Sequence, residues 1–259
     1  MKKTIIIIVL LLALPSLCFA GSLQEKQMAV IAKKNTTTVD PCSCPTSTYM
    51  ACYTGDHASG ADYLCYSSGS AADASSNTAD TVNSSYVEYN AVDENLCWTV
   101  SGDDKISDTQ GTMFFTYTTP ATLSGSNLLF EAYTDSNDNI VVYYYHTGTT
   151  IRVSHLGSGT NQTISGAGSA ITTSTSYRIG YTWKTGDPGG HKISIVALGN
   201  DPSWSAEADS NLLVAFTDQP NRMCIGEAGA ASAGYNIADT TRIANLVITS
   251  GYGDDDPLQ

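Results

Sequence analysis

The chain reads as an all-β protein built as a two-sheet antiparallel sandwich. Three observations predict this: about a dozen short segments rich in β-branched and aromatic residues, Gly, Asn and Asp turn formers between them, and no credible internal helix in the body of the chain. Composition agrees. Only 14% of residues are charged, whereas Ser, Thr, Gly, Asn and Tyr are abundant, which suits strands whose exposed positions are neutral and polar.

Taken in order, Lys2 and Lys3 precede an apolar run from Ile5 to Leu14, and the sequence Cys-Phe-Ala then ends at Ala20 before Gly21. This is the pattern of a cleavable secretory leader over residues 1–20. The run is well short of the ~20 residues needed to span a bilayer, and no later segment is apolar enough to cross one. Residues 21–45 read as a tether: Gln24 to Lys34 is compatible with a helix, and Asn35 to Pro41 breaks it. A folded domain is expected over 46–253 and a solvated acidic tail over 254–259. The leader predicts secretion to an extracellular, cell-surface or periplasmic location, and its Lys-Lys opening looks bacterial.

Ser67 to Ser85 is poor in apolar residues and reads as a long surface loop. Strand signals then follow at Leu96–Val100, Thr112–Thr118, Asn127–Tyr133, Ile140–His146, Thr150–His155, Ser176–Lys184, Lys192–Leu198, Leu212–Phe216, Met223–Gly226 and Arg242–Thr249. The turn formers between several of them predict antiparallel hairpins. Trp98 and Trp183, inside strands, are expected in the core; Trp204, in a loop after Pro202, is expected at the surface.

Several segments match a known family in order. Gln110-Gly-Thr-Met-Phe-Phe115, Leu129-Phe-Glu131 with Asn139-Ile-Val-Val-Tyr143, Tyr177 to Trp183, Met223-Cys-Ile-Gly226 and Ile243 to Ile248 resemble strands of the laminin-G-like, concanavalin-A-like jelly-roll domains. The resemblance covers approximately Tyr86 to Ser250. It implies a jelly-roll sandwich with a glycan-facing concave sheet, and it leaves activity open because this architecture hosts lectins, adhesion modules and glucanases. Tyr177 and Ala244 depart from the family pattern, the latter where members commonly carry an aspartate.

Removing Lys2 and Lys3 leaves ten Lys/Arg against 25 Asp/Glu, so the mature net charge moves from −13 to −15. A nucleic-acid partner is thereby disfavoured, because phosphate binding needs a basic surface. Six cysteines remain after the leader: Cys42, Cys44, Cys52, Cys65, Cys97 and Cys224. An even count in an exported chain favours disulfides, with fifteen pairings open. Four thiolates from Cys42 to Cys65 could instead hold a metal, although the spacings are irregular and no pair of CxxC knuckles occurs.

Catalytic constellations are not visible. Glycoside hydrolysis needs two carboxylates flanking the scissile bond, and Glu88, Glu94, Glu131, Glu207 and Glu227 stand singly. Glu131 lies inside a strand, where a lone Glu is expected on the solvent side. His57, His146, His155 and His191 fall at turns or strand ends, where exposure is ordinary, and no His-x-His spacing gathers them. For calcium, oxygen ligands are offered by Asp135-Ser-Asn137-Asp-Asn139 and by Asp56 with Asp62, but a tight hairpin turn explains the first run better.

Aromatic residues carry the binding argument. Tyr143 and Tyr145 share one face of their strand and Tyr144 takes the other. On an open sheet Tyr143 and Tyr145, together with an exposed Trp204, could stack on sugar rings, or the tyrosines could simply stabilise the sheet. The leading expectation is a non-catalytic recognition module for carbohydrate or a cell-surface protein. The alternatives are a self-associating structural subunit of an extracellular filament or surface layer, and a glycoside hydrolase.

Overall fold

The protein is described here as a computed structural model over residues 49–53, 64–66, 71–72, 74–83, 85–91, 94–102, 105–166, 170–206, 212–226, 240–253 and 256. All of these belong to the unit Pro41–Gln259. The expected leader and tether, Cys42 and Cys44, His57, and the Asp56 and Asp62 pair lie outside the described residues.

Among the described residues seventeen strands follow one another. They are β1 (Tyr49–Tyr53), β2 (Leu64–Tyr66), β3 (Ala71–Ala72), β4 (Ser76–Asn77), β5 (Thr81–Val82), β6 (Val87–Tyr89), β7 (Asn95–Thr99), β8 (Gln110–Thr118) and β9 (Asn127–Asp135). There follow β10 (Asp138–Tyr145), β11 (Thr150–Gly157), β12 (Thr160–Ser165), β13 (Ser176–Lys184), β14 (His191–Ala197), β15 (Ser205–Ala206), β16 (Arg222–Gly226) and β17 (Thr241–Thr249). A 3-10 turn, His146–Gly148, joins β10 to β11.

Two antiparallel sheets form the expected sandwich. One has ten strands in the order β15-β14-β13-β8-β17-β1-β2-β3, with β6 also on β17 and β5 on β6. The other has seven, in the order β12-β11-β10-β9-β16-β7-β4. Alternation sends Met113, Phe115, Tyr117, Ile179, Tyr181 and Trp183 inward from the first sheet, against Phe130, Ile140, Val142, Tyr144, Ile151 and Val153 from the second. Trp98 and Trp183 are fully buried, as expected. Two of the buried polar tips find backbone acceptors: Trp183 Nε1 donates to Ser107 O at 3.1 Å, and Tyr89 Oη donates to Leu128 O at 2.9 Å.

Register decides one cysteine pair. Cys97 on β7 faces Cys224 on β16, and they form a disulfide across 127 residues. Cys52 is also disulfide-bonded, but Cys65, expected in a disulfide and lying opposite Cys52 in the β1–β2 register, is buried and in none. Disulfides are compatible with an oxidising, extracytoplasmic setting. Among the described residues, no helix is long and apolar enough to cross a membrane.

Three expectations need correction. The Ser67–Ser85 loop contributes the short strands β3, β4 and β5. Leu212–Phe216 is not a strand: apart from one bridge from Leu212 to Pro188, its backbone groups are taken singly, with Gln162 Nε2 donating to Leu212 O at 2.9 Å and Gly186 N–H to Leu213 O at 3.0 Å. The acidic tail is not wholly solvated, because the Asp256 side chain is 0% exposed and paired with Arg178. Neither the β12 strand nor the partners of these segments have a signal in local periodicity.

Candidate functional site

The Asp135 run closes a hairpin. Asp135 Oδ1 accepts the backbone N–H groups of Asn137 at 2.7 Å and Asp138 at 3.2 Å, which fixes the turn between β9 and β10 and leaves Asn137 exposed. Asp138 points inward and is 1% exposed. Its Oδ1 accepts N–H from Ser158 at 2.8 Å and Thr217 at 2.9 Å, and its Oδ2 accepts from Asp218 at 3.2 Å. The oxygens of this run thus serve the backbone. Among the described residues no group of three or more His, Cys, Asp and Glu is placed to hold a metal ion.

Tyr144 is in the core and Tyr143 and Tyr145 share the opposite face, as alternation requires. Neither ring stands bare. Tyr143 is buried with Leu128 and Val141, and the Arg152 guanidinium lies 3.5 Å from the Tyr145 ring centroid. Trp204, expected at the surface, is half-buried: its ring lies 5.7 Å from that of Phe114. The approach is allowed because Gly180 has no side chain; a Cβ there would come within 2.9 Å of both rings. Glu131, expected to face solvent, is fully buried opposite Cys224.

The histidines also depart from expectation. His146 is exposed, but His155 and His191 are interior. His155 stacks on Phe216 at 4.7 Å, and burial, with a contribution from His191, lowers its pKa to about 3. Both belong to the core.

A different place offers accessible chemistry. On the outer face of the ten-stranded sheet, register sets Glu88 (β6), Arg242 (β17), Thr118 (β8) and Ser176 (β13) in one row. Arg242 Nε donates to Glu88 Oε2 at 2.5 Å, and its guanidinium lies 4.5 Å from the Tyr86 ring centroid. The bond to Glu88 pushes the Arg242 pKa up further, so it is a permanent cation. The side chain remains 45% exposed, and its two terminal amino groups donate to no described residue. Thr118 Oγ1 and Ser176 Oγ lie 2.8 Å apart.

The loops beyond this row build a groove. Thr119 Oγ1 donates to Thr172 O at 2.7 Å and accepts from Thr175 N at 2.8 Å, while Ser174 N donates to Pro120 O at 3.0 Å. They enclose about 420 Å³ between Thr118–Ala121, Ser174, Thr240 and Arg242. An oriented guanidinium above hydroxyls can bind an oxygen-rich ligand. Among the described residues the lining pairs no hydroxyl with a base, and Glu88 is engaged by Arg242. Sequence reasoning missed Arg242, Tyr86 and Glu88 as a site. The one available signal was the Arg242-Ile243 alternation, which marks Arg242 as outward; its partners come from distant segments.

No protein-family model matches the chain, and no curated protein matches it. Among solved structures it is similar to Trypanosoma rangeli sialidase in complex with sialic acid, with 13% identity and a TM-score of 0.55, over 90% of this chain and 37% of that one. It is also similar to the receptor binding domain of botulinum neurotoxin mosaic serotype C/D, with 8% identity and a TM-score of 0.56, over 80% of this chain and 48% of that one. The botulinum neurotoxin serotype D binding domain gives 9% identity and a TM-score of 0.53, over 80% and 49%. The chain therefore spans about a third to a half of the structures it matches. At such identities the likeness is one of fold, a β-sandwich, and it does not single out the laminin-G-like or concanavalin-A-like family.

Proposed function

We propose that the chain is a non-catalytic recognition module, secreted by way of residues 1–20 and carried on the tether 21–45, that binds carbohydrate in the groove beside Arg242. The observation that carries the reading is the guanidinium itself. Glu88 and Tyr86 hold it in place while its two terminal amino groups donate to no described residue. Hydrogen bonds from a pre-oriented cation to sugar oxygens cost little ordering entropy and are each worth about 1.5–3 kcal/mol. The β-sandwich neighbours support the reading, since one was solved with sialic acid and others are receptor-binding domains.

A glycan array probed with the full chain tests it. Arg242→Ala is expected to weaken any hit at least tenfold, whereas Tyr143→Ala and Trp204→Ala report on the ring-stacking sites expected from sequence. An array without hits, with and without calcium, removes the carbohydrate reading. Self-association is a second reading, motivated by β12, a six-residue edge strand of neutral composition. Monodisperse monomers at high concentration would exclude it. A hydrolase reading would require cleavage of a polysaccharide by the purified chain.

A further inference from the structure

Beyond Arg242, the end of the chain doubles back over the same outer face. Thr112 Oγ1 donates to Gly251 O at 2.6 Å, and Gly253 N–H donates to Thr182 Oγ1 at 2.7 Å. Tyr252 Oη donates to Gly189 O at 3.2 Å, and its ring centroid lies 5.1 Å from Lys192 Nζ. Asp256 then accepts from Arg178 as a fork, Nε to Oδ2 at 2.5 Å and Nη2 to Oδ1 at 2.8 Å, with side chains 2% and 0% exposed.

Two features exceed what fastening a terminus requires. Arg178 is held without Asp256: its Nη1 donates to Asn245 O at 2.7 Å and to Thr116 Oγ1 at 3.4 Å, and its guanidinium lies 5.7 Å from the Phe114 ring that Trp204 flanks. The Nε/Nη2 edge is therefore set to take a carboxylate whether or not Asp256 is there. The second feature is charge. In a chain of net charge −13, the Lys/Arg residues beyond position 41 are Lys105, Arg152, Arg178, Lys184, Lys192, Arg222 and Arg242. Four of these, Arg178, Lys184, Lys192 and Arg242, are at outward positions on β13, β14 and β17. This face thus gathers most of the cations of the chain beyond position 41, with Arg178, Lys184 and Arg242 paired to Asp256, Asp187 and Glu88, and Asp256 is the carboxylate that the tail brings to it.

We infer that the Arg178 fork, with the Phe114 and Trp204 rings beside it, is a binding site for the carboxylate of an acidic sugar of the uronic acid class. Asp256 fills it as an internal competitor. Such a competitor lowers apparent affinity by the fraction of molecules in which the tail is down.

Titration of the full-length chain and of its Asp256→Asn form with glucuronate, glucose and acetate tests this. Asp256→Asn is expected to bind glucuronate at least tenfold more tightly than the parent chain, with neither glucose nor acetate binding comparably, and a further Arg178→Gln change is expected to abolish it. Near-ultraviolet circular dichroism and a thermal transition report whether each variant is folded. A folded Asp256→Asn chain that does not bind glucuronate overturns the inference, as does equal binding of acetate. Should the variant not fold, carboxypeptidase digestion of the parent chain decides: glucuronate, and not glucose, is expected to speed release of the last residues through Asp256 at least threefold. No acceleration overturns the proposal.

Discussion

His155 Nδ1 lies 3.0 Å from the Tyr181 hydroxyl, so a strand of one sheet is tied to a strand of the other by a polar contact inside the core. His155 sits on β11 and Tyr181 on β13, with His191 6.3 Å from the tyrosine ring and Phe216 stacked on the imidazole. The contact has a thermodynamic consequence. An imidazole that ordinarily titrates near 6.5 is lowered to about 3, chiefly because burial penalises its charged form.

Between those two values the unfolded chain binds a proton that the folded chain refuses. Stability is therefore whole above about pH 6.5 and declines as pH falls toward 3, by on the order of 1 kcal/mol per pH unit from this group. Urea midpoints from pH 7 to 4.5 check this. His155→Gln is expected to flatten the decline; parallel slopes for parent and variant would show that His155 is not its source.

The Cys97–Cys224 bridge closes a loop of 127 residues. Constraint of the unfolded chain by so long a loop is worth about 4–5 kcal/mol on the chain-entropy account. The Cys97→Ser/Cys224→Ser chain is expected to lose stability of that order in urea unfolding, with its far-ultraviolet spectrum retained. A loss below about 1 kcal/mol would contradict the estimate.

Two glycine substitutions should differ sharply. A Cβ on Gly157 would meet Val214 O at 2.1 Å, where backbone must move, whereas one on Gly166 would meet the Ile195 Cδ1 methyl at 2.1 Å, which can rotate away. Gly157→Ala is expected to cost about 3 kcal/mol and Gly166→Ala about 1 kcal/mol or less. Thermal melts of the two purified variants suffice, and equal costs would mean that the 212–217 segment yields as easily as a side chain.

Asp138 accepts three backbone N–H groups from segments far apart in sequence, and Asp135 accepts two within its own turn. Asp138→Ala strands buried donors and is expected to cost about 3 kcal/mol or more, against about 1 kcal/mol for Asp135→Ala. Because both carboxylates are committed to the backbone, calcium or a chelator is expected to shift the melting temperature of the parent and of Asp135→Ala equally. A calcium-dependent gain lost on Asp135→Ala would instead establish a metal site in this turn.

Most of the sandwich was legible because period-2 alternation and turn chemistry are local. The strand from Ser176 to Lys184 was read with its observed bounds, Trp98 and Trp183 fell in the core, and Tyr143 and Tyr144 fell on opposite faces. The groove was not legible. Its members come from β6, the loop after β8, the turn at Ser174 and the start of β17, and only sheet order brings Arg242 beside Thr118. His155, Glu131 and Asp256 were misread for one reason: a residue's exposure depends on what another segment lays over it.

By itself, then, the amino-acid order determined the all-β class, the strand faces and the acidic surface, since each follows from nearest-neighbour periodicity and composition. Tertiary structure alone decided that Cys97 meets Cys224, that Asp256 reaches Arg178 and that Arg242 overhangs a hydroxyl-lined groove. These are pairings across tens to more than a hundred residues, set by register and layer packing, and local pattern holds no record of them.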